Sequence, residues 1–333
     1  MSWAGSSDIA GRFVAALLLQ AGYNTSLVLV GVSLLGIAAG VVGTFTYLRG
    51  QALVSDALGH ATLPGIVLAF LAGTAMGLSQ RSLPLLLAGA AATGALGVLT
   101  VQVIRRHTRL TEDAAIGAVL SVFFGLGVVL LSFVQGLDTG GQAGLAHFIL
   151  GQTAGMSRGE AVALAVLAAA ALAAAVAFFK EFRLVCFDPG FAQGQGWPVF
   201  RIDLLMAGLT VLVTVTGLQT VGLVLIVAFL ILPPVAARFW SDSLHRVVLL
   251  AAAIGGFSGY VGGALSAAVP DMPAGPVIVL VAGTVFVLSL FFAPRRGVLA
   301  GVLRHALLRV RLARVRALAA LHRDPGATDR LSA

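Results

Sequence analysis

The chain lacks most of what a soluble enzyme relies on. Only 10% of its 333 residues are charged, cysteine occurs once, and lysine occurs only at position 180. The lone Cys186 excludes an internal disulfide and any thiolate metal cluster within one chain, and it reads as inert packing near a helix end. Lys180 follows "AVAFF" rather than a glycine-rich turn, so no Walker A loop exists and the chain holds no ATP site of its own. HExxH and HxxxH are absent, which leaves a membrane metalloprotease without support. Repeated intramembrane carboxylates, expected of proton-coupled carriers, are missing too. Positive charge is in surplus at +8, but it gathers in the tail between Arg295 and Arg330 with no interleaved aromatic platform. Nucleic acid is therefore not an expected partner.

What the chain does have is apolar length. Hydrophobic residues make up 59% of it, in runs that do not alternate as barrel strands would. A bilayer core of about 30 Å needs about 20 helical residues, and in lipid helices are then the remaining way to satisfy the backbone. The fold class is all-α, a polytopic membrane protein. Spans are expected near 26–47, 53–74, 83–104, 114–134, 160–179, 203–218, 221–239, 247–268 and 277–293. The stretch from Leu204 to Trp240 would be about 55 Å long as one helix, so a fold-back is predicted near Gly217 and Gln219. That makes nine spans, with eight as the alternative.

Basic residues assign the sides. Arg49, then Arg105, Arg106 and Arg109, then Lys180, Arg183 and Arg201, then Arg238 and Arg246, then the Arg295 cluster fall in alternate loops, which are read as cytoplasmic. The C-terminus is then inside and, for nine spans, the N-terminus outside. No cleavable signal peptide is read at the N-terminus, and the segment from Ile9 to Leu19 is too short to span and suits the interface. Residues 1–294 are expected to form the transmembrane domain. Residues 295–333 form a basic cytoplasmic tail whose arginines suit a helix lying on anionic membrane lipid.

One apolar run breaks the pattern. "LVSDALGHATLPGIVLAF", residues 53–70, carries Asp56 and His60 four residues apart, so a helix presents both from one face. Charge inside a span is costly and marks a site or pathway. Carboxylate plus neutral imidazole suits manganese, iron(II) or zinc, whereas copper(I) favours sulfur. A structural polar pair is the plainer alternative. Two ligands do not complete a coordination shell, and a twofold homodimer with this helix at its axis supplies four. Pro64 and Gly65 follow, where a kink is expected.

A second polar island is "FRLVCFDPGFAQGQGWPVFR", residues 182–201. Asp188 before Pro189 is a helix N-cap with proline at the first helical position, and a two-turn helix ending at Gly194 or Gly196 fits. Phe187, Phe191 and Trp197 around it suggest a docking surface, with an interfacial loop bearing aromatic anchors as the alternative.

Taken in order, "SDALGHATLPG" (55–65), "TEDAAIGAVLSVFFGLGVVLLS" (111–132), "FILGQTAGMS" (148–157), "FDPGFAQGQG" (187–196), "LPPVAARFW" (232–240) and "DMPAGPVIVL" (271–280) resemble the permease subunits of bacterial ABC importers for zinc, manganese and iron. The resemblance covers roughly residues 25–294 and implies a type II ABC-importer-like fold in the bacterial inner membrane. It implies that Asp56 and His60 contact the transported metal, with no permanently bound cofactor. It also implies that the segment from Asp188 to Gly196, with Phe187, Pro189, Phe191 and Gly194, docks on a cytoplasmic ATP-binding subunit. An extracytoplasmic metal-binding protein would deliver the ion to a homodimer, and ATP would be hydrolysed by the partner, so the chain itself is not an enzyme. Two departures stand out: Gly59 replaces a usual serine, and "PPVAAR" replaces "PAATAR", which places Pro233 and Pro234 together near the inner gate. A secondary carrier for a polar solute or ion, using Asp56, is the runner-up.

Overall fold

The computed structural model describes residues 4–51, 53–76, 83–136, 156–269, 272–302, 308–309 and 312. Among them the backbone bonds itself in the one way the apolar runs allow: twelve helices carry the fold and there is no strand. They are α1 (Ala4–Leu17), α2 (Tyr23–Leu48), α3 (Val54–Ala75), α4 (Leu83–His107), α5 (Glu112–Gln135), α6 (Arg158–Ala177), α7 (Phe179–Phe187), α8 (Pro189–Gly194), α9 (Val199–Val221), α10 (Leu223–Trp240), α11 (Leu244–Ala268) and α12 (Ala274–Phe292). Nine of these, α2–α6 and α9–α12, are long and apolar enough to cross a membrane. The chain is a multi-pass membrane protein with nine candidate spans among the described residues, rather than eight. Arg81, Asp138, His147 and Asp271, and most of the expected tail helix, lie outside the described residues.

The fold-back between α9 and α10 occurs at Gly222, not at Gly217 or Gln219. Gly222 adopts φ +85°, a left-handed conformation that costs glycine little, and it is the single residue between the two helices. Gly217 serves another purpose inside α9. A Cβ there would stand 2.5 Å from Ile226 Cδ1, so its missing side chain lets α9 and α10 close together.

Small residues set other close approaches. A Cβ on Gly36 would lie 2.3 Å from the Gly255 carbonyl oxygen, and one on Gly255 would lie 2.1 Å from that of Gly36, so α2 and α11 meet backbone to backbone. In α6 the buried residues Ala161, Leu164, Ala168, Ala171 and Ala175 form one stripe, which packs in the core that α2 shares. The start of α6 is fixed by a capping box: the Glu160 amide donates to Ser157 Oγ at 3.3 Å, and the Ser157 amide donates to Glu160 Oε2 at 2.8 Å. "GMSRG" at 155–159 matches the spelling of a GxSxG nucleophile turn, but its serine serves as this cap.

Two large hydrophobic cores result, beside two small clusters where α1 meets α2 and α11 and where α10 meets α11. The first gathers side chains from α2 and α6–α12; the second gathers α3, α4 and α5. Helix α9 belongs to both, giving Ile202, Met206 and Leu209 to the first and Ala207, Val211 and Val215 to the second. At 14 residues α1 is about 21 Å long, too short to span. It docks on α11, where the Tyr260 hydroxyl donates to the Leu17 carbonyl at 2.5 Å. At the other end of the chain, Asp242 before α11 takes Arg295 at 3.1 Å and Arg296 at 2.8 Å, with Arg238 at 3.7 Å. This cluster pins the beginning of the tail beneath α10 and α11. Hydrogen bonding from Arg295, with the charge of Arg296 and Arg238, holds the Asp242 carboxyl below the usual aspartate value.

Candidate functional site

Helix α3 places Asp56 in its first turn and His60 one turn later. Both therefore lie at the end of the span nearest Arg49 in sequence. His60 Nε2 stands 3.7 Å from Asp56 Oδ1, and both side chains remain partly open, 42% for Asp56 and 23% for His60. That separation exceeds a hydrogen bond, but it suits two donors of one ion. With ligand bonds of about 2.1 Å it corresponds to an angle of about 125° at the metal. The imidazole meets Phe124 of α5 edge to face, with centroids 4.8 Å apart. Its Nδ1 is buried with no hydrogen-bond partner among the described residues. Ring orientation is thus held by packing instead of by an outer carboxylate or carbonyl. No third histidine, cysteine or acidic residue joins the pair among the described residues.

The surrounding glycines have defined roles. A Cβ on Gly59 would overlap Leu223 Cδ1 at 2.1 Å, so the space of the usual serine is filled here by the first residue of α10. Gly65 meets Gly89 of α4 with the same economy: its Cβ would lie 2.1 Å from the Gly89 carbonyl oxygen. Pro64 faces Gly127 of α5, whose Cβ would reach within 3.2 Å of the ring. Helix α3 runs on through Pro64 to Ala75, and Pro233 and Pro234 are likewise buried inside a continuous α10.

In the second polar island Asp188 Oδ1 accepts the Phe191 amide at 2.8 Å, and Pro189 opens α8. The helix ends at Gly194, and Gly196 turns the chain with φ +81°. Ala192 is buried and anchors α8, while Phe187, Phe191 and Trp197 are exposed. Beside them a cleft of about 550 Å³ is lined by Lys180, Arg183, Phe187, Asp188 and His245. Cys186 is packed behind this surface, and burial pushes its thiol up to about 12.

One polar pair escaped the reading of the sequence. Arg49, after the last turn of α2, forks onto Asp203 of α9, Nε to Oδ1 at 2.9 Å and Nη2 to Oδ2 at 3.0 Å. Asp203 is an acid inside an apolar helix, the same signal that marked Asp56. Further into the same two helices, the Thr46 and Thr210 hydroxyls meet at 3.0 Å. The ends of α2 and α9 are thereby tied together just after the α8 segment.

The match to known proteins is extensive. A model of the ABC 3 transport family covers residues 23–293. The chain belongs to that family. The manganese transport system membrane protein MntC of Bacillus subtilis (strain 168) is 44% identical over 90% of this ABC 3 chain and 68% of its own length. The zinc transport system membrane protein TroC of Treponema pallidum (strain Nichols) is 40% identical over 86% of the chain and 94% of its own. Among solved structures, "PsaBC from Streptococcus pneumoniae in complex with Fab" superposes with a TM-score of 0.72 at 31% identity, over 86% of this chain and 97% of that one. The family match starts at α2 and ends one residue after α12, so α1 and the arginine tail lie outside it.

Proposed function

We propose that this ABC 3 chain is the membrane permease subunit of an ATP-driven importer of divalent first-row metal ions, manganese, zinc or iron, in the bacterial plasma membrane. Its family and its manganese- and zinc-transport relatives support the class of cargo. The observation that carries the site is the Asp56 and His60 pair, the two potential ligands of α3, 3.7 Å apart. Residues 1–294 act as the permease domain and 295–333 as a cytoplasmic tail. The chain hydrolyses no ATP itself and keeps no metal as a resident cofactor.

In this reading the ion arrives from an extracytoplasmic binding protein and rests on Asp56 and His60. The partly open pair is completed by the same pair of a second copy, giving two carboxylates and two imidazoles, a donor set that suits manganese or iron somewhat better than zinc. Affinity is modest by construction. An orienting partner on the second imidazole nitrogen is commonly worth about 10–100-fold in metal affinity, and the buried Nδ1 of His60 has none among the described residues. A site that must release its cargo gains from that. The α7–α8 surface, with Phe187, Phe191 and the capped start at Asp188, docks on the ATP-binding subunit. Its movements reach the ion through α9, which belongs to both cores.

The test is uptake of manganese, zinc and iron by the permease reconstituted with its ATP-binding subunit. Asp56→Asn and His60→Ala should abolish uptake while the complex still assembles. Normal uptake in both variants sinks the ligand assignment, and transport by the permease in liposomes without any ATPase would establish a secondary carrier instead.

A further inference from the structure

The short helix α7 has two faces. Phe182 and Val185 are buried beneath it, whereas Lys180, Arg183, Leu184 and Phe187 follow the i, i+3, i+4, i+7 spacing of one side. That side is one wall of the cleft of about 550 Å³, and the other is the link from α10 into α11, with Asp242, Leu244 and His245. The His245 ring packs against Phe179 with centroids 4.5 Å apart, which joins the two walls where α7 begins. From Lys180 to Phe187 the row is about 10 Å long, the length of about three residues of extended chain.

Charge around the cleft is one-sided. Asp188 Oδ1 accepts the Phe191 amide at 2.8 Å, and Asp242 is met by Arg295, Arg296 and Arg238 within 3.7 Å. Glu181 lies off the row, with its Oε2 buried. Lys180 and Arg183 are exposed and add to the three arginines, so five basic side chains stand around two acids already engaged. Between these charges the walls are apolar, at Leu184, Phe187 and Leu244.

A small anion uses the charge and leaves the apolar side chains uncovered. A phospholipid needs a path for its acyl chains, yet the lining belongs to α7, the cap of α8 and the entry of α11, none of it in the middle of a span. A protein segment uses both characters. The cleft also shares Phe187 and Asp188 with the α7–α8 surface, so a partner seated on that surface reaches it.

We propose that this cleft receives an acidic segment of the ATP-binding subunit, its carboxylates held by Lys180 and Arg183 and an apolar neighbour covering Phe187. This contact rests on the docking role of α7–α8 and gives it a charged half beside the aromatic one.

Lys180 is the only lysine of the chain, which makes one cross-link diagnostic. A carbodiimide joins an amine only to a carboxylate it touches. Permease and ATP-binding subunit assembled in phosphatidylcholine nanodiscs should give an amide between Lys180 and an aspartate or glutamate of the subunit, mapped by peptide mass spectrometry. Lys180→Arg keeps the charge, and it should keep the affinity while losing that cross-link. Lys180→Gln with Arg183→Gln should weaken binding of the subunit about tenfold at low ionic strength, as two partly exposed ion pairs do, and the difference should shrink at high salt. No amide at Lys180 together with full affinity in the double variant overturns the proposal. If Phe191→Ala weakens binding in that case, docking through α8 stands without the cleft; if it does not, the docking role falls as well. Loss of affinity confined to nanodiscs that contain phosphatidylglycerol also overturns it, in favour of a lipid headgroup. None of these measurements involves metal uptake, so they leave the Asp56 and His60 assignment to its own test.

Discussion

Replacing Asp203 by alanine removes the carboxylate on which the Arg49 guanidinium is forked while the helices around it stay packed. The side chains are 14% and 6% exposed, so water can rescue the stranded charge only in part. Breaking a buried pair from one side costs about 3–5 kcal/mol, and the residual access of Arg49 argues for the lower end, about 3 kcal/mol. Arg49→Met should cost about as much, since it abandons the better-buried partner. The double variant Arg49→Met with Asp203→Leu removes both charges and fills the space with apolar atoms, and it should recover most of the loss. Four proteins make the cycle, unfolded reversibly by denaturant in bicelles. Two single variants each within about 1 kcal/mol of the parent, or a double variant whose loss is their sum, would refute the view that the pair is buried and mutually dependent.

Other expectations follow from the packing and the ionisable groups. Gly36→Ala forces α2 and α11 apart where backbones touch, and it should destabilise by about 1–3 kcal/mol in the same unfolding assay; no change would mean that the crossing is looser than drawn. Cys186, with its thiol pushed up to about 12 by burial, should resist maleimide at pH 8 in the folded protein and react promptly once unfolded. Rapid labelling of the native form contradicts this. Asp242 is held below its ordinary value, so its contribution is present above the unfolded carboxylate range and is lost as pH falls through the lower folded value. Trypsin cleavage at Arg295 and Arg296 at neutral pH should be slow in the parent and fast in Asp242→Asn; equal cleavage of both proteins would dismiss the clamp.

The spans were legible because length and apolarity are properties of contiguous residues, and lipid leaves the backbone few alternatives. The facing of Asp56 and His60 was legible for a similar reason, since i and i+4 meet on any helix. The turn at Gly222 was not. Several glycines lie close by, and what singles out Gly217 for packing is Ile226, a residue on the far side of the turn. Asp203 carried the same warning as Asp56, but its meaning depended on Arg49, 154 positions away. The purpose of Gly59 was hidden likewise until Leu223 was seen to occupy the missing hydroxyl's place.

The openness of the Asp56 and His60 pair has a consequence for inheritance. Under the proposed ligand assignment, a single chain would expose half of the ion's site on an outer wall, so whatever closes that wall in the assembled transporter would share responsibility for the ion. In the proposed homodimer, a defective copy would not simply go missing from the pool. It would pair with sound ones and spoil them, and alleles that damage α3 while sparing assembly would behave as dominant.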